Sequence, residues 1–160
     1  MTKKLFILIS CGLLLIAAGC KKDKSDEPEP FSSNVPSPDW IAPIIHDYTS
    51  SATAVVRVDL AAQHPDMAAD FVIMDEDVLA AFSGNTCLGT ATLQGSLFFL
   101  YIASPELNGG DEEAVSITLK YYSAHYKNIF VASDAFTFSS NAHLGTIAQP
   151  LVPVFIAGDK

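Results

Sequence analysis

The chain has three cysteines in 160 residues, and only Cys87 lies beyond residue 20. A domain built from the later residues therefore cannot close an intramolecular disulfide. Cations are scarce as well. From Phe31 onward there are four, Arg57, Lys120, Lys127 and Lys160, against 14 acids, a net charge of −10. Nucleic acids and anionic lipid surfaces are held by clustered Lys and Arg, so this balance excludes them as partners of the domain. The histidines, His46, His64, His125 and His143, form no His-x-x-x-His or His-Glu pairing, and Cys87 has no cysteine partner. The sequence thus offers no zinc set. It has no Gly-x-Ser-x-Gly elbow and no glycine-rich phosphate loop. No stretch after residue 20 keeps a helical period, which leaves strands. Cys87 itself sits in the apolar run Cys87-Leu-Gly-Thr-Ala91 and reads as a small buried residue rather than a reactive thiol.

What is present begins at the N-terminus. Lys3 and Lys4 precede an apolar stretch from Leu5 to Ala18, broken only by Ser10, Cys11 and Gly12. Fourteen residues suit a signal h-region and fall short of the roughly 20 that a spanning helix needs. The run Leu13-Leu-Leu-Ile-Ala-Ala-Gly-Cys20 resembles the lipobox of a bacterial lipoprotein, with Ala17 where leucine is usual. The resemblance implies that residues 1–19 are removed and that Cys20 carries the lipid. Residues 20–38 then form a tether: four prolines, several charges and serines offer too little apolar area to offset ordering. Lys22-Asp23-Lys24-Ser25-Asp26-Glu27 is similar to the signal that sends lipoproteins of the Bacteroidetes to the outer face of the outer membrane. The expected partner is therefore the membrane, reached through the anchor.

The rest, residues 39–160, is one domain's worth of chain. Ser51–Leu60 alternates with period two, placing Ala52, Ala54, Val56, Val58 and Leu60 on one face. Asp77–Leu93 reads as a hairpin turning at Ser83-Gly84-Asn85, with Gly89 marking a bulge or close packing under a large side chain. Gln94-Gly95 is a second turn, and Leu97–Ile102 is apolar enough for a strand buried on both faces. Val115–Tyr122 alternates. Phe71–Met74, Ile129–Ala132 and Phe136–Phe138 are shorter candidates, and Leu151–Ile156 is an edge strand that tolerates Pro153. The expected fold is all-β, a single antiparallel β-sandwich of Ig-like or jelly-roll-like form, with a closed barrel as the alternative. Trp40 packs over its open end or stacks on a ligand.

Asp77-Val-Leu-Ala-Ala-Phe-Ser-Gly-Asn-Thr-Cys-Leu-Gly-Thr-Ala91 resembles a module repeated in surface and secreted proteins of the Bacteroidetes. Its hallmark is Ala-Ala-Phe, a turn with glycine, then Cys-x-Gly-x-Ala. Tyr48–Val56, Phe98–Ile102, Ile117–Ser123, Phe136–Phe138, Asn141–Gly145 and Pro150 extend the likeness over roughly residues 48–155. Members usually carry arginine after the cysteine; Leu88 stands there instead, so any role of that arginine is absent. The resemblance implies a β-rich display module with no assigned activity.

Two acidic runs, Asp75-Glu76-Asp77 and Asp111-Glu112-Glu113, supply hard oxygen ligands. They make Asp75, Asp77, Asp111 and Glu113 the calcium candidates, although their spacing fits no EF-hand. Solvated loop carboxylates are the simpler reading, with Asp77 capping a turn; no cofactor is called for. Of the strand aromatics about half face inward; core packing or ordinary surface aromatics is the simpler reading, and the alternative is a shallow exposed platform for sugar or protein at Tyr122 and Tyr126. The sequence thus points to a non-enzymatic, lipid-anchored envelope protein with a binding or assembly role and a glycan or envelope-protein partner. A carbohydrate-active enzyme or accessory subunit using the loop acids is the rival. An interaction subunit joined through the C-terminal edge strand is the third reading.

Overall fold

A computed structural model describes residues 31–67, 71–104 and 115–158. Among these residues nine strands form one mixed sheet curled into a half-barrel: β1 (Ser51–Val56), β2 (Val78–Ser83), β3 (Thr86–Gln94), β4 (Leu97–Ala103), β5 (Ser116–Ser123), β6 (Asn128–Ala132), β7 (Phe136–Thr137), β8 (His143–Leu144) and β9 (Phe155–Ala157). Their order is β8-β1-β4-β3-β2-β5-β6-β9, with β7 beside β5. The only α-helix among the described residues is α1 (Leu60–Gln63), a single turn capped by the Asp59 side chain. The all-β class follows directly from the period-two pattern. The expected sandwich of purely antiparallel strands does not: β8 runs parallel to β1, Leu151 bridges Val56 in parallel, and the strands follow one connected path.

The path stays connected because β3 serves both sides of the curl. Its first half pairs with β2 and its second half with β4. The register slips between Ala81 and Phe82, so that Ala81 faces Gly89 while Phe82 faces Cys87. A bulge of this kind sharpens twist and lets a strand bend. Gly89 lies against β4 so closely that a Cβ there would stand 1.9 Å from the Tyr101 carbonyl oxygen. The bulge expected at Gly89 is present, but what crowds the glycine is the β4 backbone rather than a large side chain.

The inner face of the curl is the core. Ala52, Ala54 and Val56 from β1 meet Phe98, Leu100 and Ile102 from β4, Leu79 and Ala81 from β2, Ile117, Leu119 and Tyr121 from β5, and Phe130 and Phe155. Large side chains of this type contribute about 1.5–3 kcal/mol each when fully buried. β4 is buried on one face only, since Phe99 is half-buried and Tyr101 is exposed. The strand expected over Ser51–Leu60 ends at Val56, where the paired strand β4 begins and its partners run out. The chain then turns across the end of the curl, burying Val58, Leu60 and Met67 there. Phe71–Met74 belongs to this crossing and is not a strand.

Residues 31–38, expected as tether, lie on the domain. The Val35 amide donates to the Lys127 carbonyl at 2.7 Å, and the Asn128 side-chain amide donates to the Phe31 carbonyl at 2.7 Å. The Tyr122 hydroxyl donates to the Val35 carbonyl at 3.3 Å, and Trp40 meets the Phe82 ring edge-on at 5.4 Å. Ala42 and Pro43 share a small hollow with Gly89 and Tyr101. The segment 31–44 is thus a strap that crosses the outer face from β6 toward β4.

Candidate functional site

The sequence candidates do not converge. Cys20, Asp111 and Glu113 lie outside the described residues. Asp75 is exposed, whereas Asp77 is buried. Among the described residues no three His, Cys, Asp or Glu side chains gather into a metal set. Cys87 is half-buried, and burial pushes its thiol up, which keeps it protonated and weakly nucleophilic at neutral pH.

Tyr122 and Tyr126 are not an exposed platform; their relative exposures are 5% and 1%. The alternation along β5 places Tyr121 inward and Tyr122 outward, but the strap covers the outward side at Val35. Tyr126 sits in the β5–β6 turn, stacks parallel on Phe71 at 5.9 Å and meets Phe130 edge-on. Trp40 is half-buried on a face of the sheet rather than over an open end.

Asp77 is the one buried carboxylate among the described residues, where the sequence offered a turn cap, a calcium ligand or a loop acid of the rival enzyme. It does close a turn, accepting from the Met74 amide at 3.0 Å. It also accepts from the Tyr121 hydroxyl at 2.5 Å and the Ala124 amide at 2.7 Å. Those bonds tie the start of β2 to the end of β5 and to the turn that follows. Burial raises the Asp77 carboxyl above its usual range, the three donors pull it down, and Glu76 adds a smaller push upward. Burial, followed by the Asp77 charge and the bond to it, raises Tyr121 as well. With its oxygens turned to internal donors, this carboxylate is a structural tie and holds no open position for a substrate.

A hollow of about 600 Å³ opens where the crossing segment meets the β3–β4 turn. Arg57, Asp59, Phe71, Val72, Ile73 and Ser96 line it. Arg57 is the only arginine in the chain and is exposed. Sequence reasoning passed over it because its partners come from three separate segments. A planar guanidinium beside an aromatic and aliphatic wall can take a carboxylate in two parallel hydrogen bonds while the wall receives an apolar face. Compared with protein-family models, with curated proteins and with solved structures, the chain matches none.

Proposed function

We propose that this chain is a lipid-anchored protein of the bacterial outer membrane, displayed outward, whose β-domain binds a partner rather than catalysing a reaction. The observation that carries the reading is the lipobox-like run ending at Cys20 behind Lys3 and Lys4. Ten residues separate Cys20 from Phe31, the start of the strap, so an extended linker spans at most about 40 Å. Among the described residues no helix is long and apolar enough to cross a membrane. Membership of the Bacteroidetes surface-module family belongs to the same proposal. It is supported by the positions of Ala80-Ala81-Phe82 in β2, Gly84 in the turn and Cys87–Ala91 in β3. Replacing Cys20 by alanine should abolish incorporation of labelled lipid precursor and leave the folded domain intact; unchanged labelling would refute the anchor.

The Arg57 hollow is the binding site in this reading, and a sugar bearing a carboxylate fits its chemistry. Arg57 takes the carboxylate, the Phe71–Ile73 wall takes the C–H face of the ring, and Asp59 and Ser96 accept hydroxyls. On an array of neutral and acidic glycans, the detergent-solubilised protein should retain the acidic members, and Arg57→Gln should lower that binding at least tenfold. No binding to any glycan, with a protein partner recovered by crosslinking in cells, would replace the sugar by an envelope protein. The rival enzyme needs an acid pair across a cleft. Asp75 and Asp77 do not form one, since Asp75 faces solvent and Asp77 is sealed against internal donors.

A further inference from the structure

β9 ends the strand order, so among the described residues one of its edges has no strand beside it. The inner edge is occupied: the Ser133 amide donates to the Val154 carbonyl at 2.8 Å, and the Gly158 amide donates to the Ile129 carbonyl at 2.9 Å. The alternate residues, Pro153, Phe155 and Ala157, therefore turn their backbone groups outward. Two side chains meet the first two there. Gln63 donates from Nε2 to the Pro153 carbonyl at 2.7 Å and accepts at Oε1 from the Phe155 amide at 2.9 Å. His64 donates from Nε2 to the Phe155 carbonyl at 2.6 Å. A primary amide offering one donor and one acceptor reproduces the peptide group of a neighbouring strand. Gln63 and His64, at the C-terminal end of α1, stand in for a tenth strand.

We propose that this edge is a pairing surface for a second copy of the chain, and that Gln63 and His64 hold it closed in the monomer. Three observations favour a second copy as the occupant. The segment Leu151–Gly158 contains no charged residue, although the domain from Phe31 onward carries a net charge of −10. Two such domains repel each other, and an uncharged strip is where they can meet at least cost. Val152, Val154 and Ile156 are 38%, 48% and 52% exposed and alternate along the segment, so an added strand would find a β-branched row to pack on. Antiparallel pairing of the same edge on both copies is self-complementary about a two-fold axis. The edge also lacks the lysine that commonly guards such strands, and Pro153 blocks one donor position only.

The test is light scattering on the full chain in detergent, with the detergent mass subtracted. The unaltered protein should have the mass of one chain, and Gln63→Ala/His64→Ala should double it. Adding Ile156→Lys to that variant should return the mass to one chain. A folded double variant that stays at one chain overturns the proposal, as does a dimer indifferent to Ile156→Lys. Should the double variant fail to fold, hydrogen exchange decides. The Phe155 amide should exchange at least tenfold faster in Gln63→Ala than in the unaltered protein, and equal rates overturn the lock.

Discussion

Replacing Gly89 by alanine should destabilise the domain by about 3 kcal/mol or more, among the largest effects any single methyl group can have here. The added Cβ would stand 1.9 Å from the Tyr101 carbonyl oxygen and 3.0 Å from its carbon. Both atoms are backbone, and both belong to β4 in the middle of the strand order. Neither can swing aside as a side chain does, so β3 and β4 must part at the point where β3 passes from one partner to the other. The control is Gly84→Ala in the β2–β3 turn. Gly84 has φ of +56° and open space around it, so alanine meets only the left-handed conformational cost of roughly 1–2 kcal/mol. Thermal unfolding followed by near-ultraviolet circular dichroism should lower Tm by roughly 10 °C for Gly89→Ala and by clearly less for Gly84→Ala. Equal losses would mean that conformational freedom, and not close approach, is why position 89 is glycine.

That glycine was legible because a strand interior gives few reasons for one, and the neighbouring apolar pattern was unambiguous. The hairpin around Gly84 and the alternation of β1 were legible for the same reason: each is a local pattern with a local cause. The outer face was not. Period-two alternation assigns Tyr122 to the outside of β5, and that is where it points. Whether the outside is wet depends on the strap, whose prolines and serines read as disorder. A few anchors, Phe31, Val35 and Trp40, suffice to dock it, because the backbone bonds at Val35 and Phe31 add to their apolar contacts. β8 is two residues long, too short for any periodicity to register, and its parallel pairing with β1 is what makes the sheet mixed. The edge cap escaped notice because Gln63 and Pro153 are 90 residues apart. The Arg57 hollow escaped for the same reason, being assembled from three segments.

Asp77 is the second position where a large effect is expected, and pH separates its two roles. Asp77→Ala removes the acceptor for the Tyr121 hydroxyl and for the Ala124 and Met74 amides. Each buried donor left unpaired costs roughly 1–3 kcal/mol, and local rearrangement recovers part of the total, so a loss of about 3 kcal/mol is expected. Asp77→Asn keeps the shape and one acceptor oxygen but sets an amide donor against a donor, and should lose about half as much. The carboxyl is raised in the folded state, with burial outweighing the three donors. The folded protein therefore holds the Asp77 proton more tightly than the unfolded chain does. By linkage, the contribution from this group is full below the unfolded value of about 3.9 and declines as pH rises through the raised native value. Carboxylates common to both proteins cancel in the difference between the unaltered protein and Asp77→Asn. The gap in Tm between them should accordingly widen as pH falls from 7 toward 4. A gap that narrows in acid would show that the hydrogen bonds from Tyr121, Ala124 and Met74 outweigh burial. Asp77 would then be stabilised as the charged form, and the tie between β2 and β5 would be strongest at neutral pH.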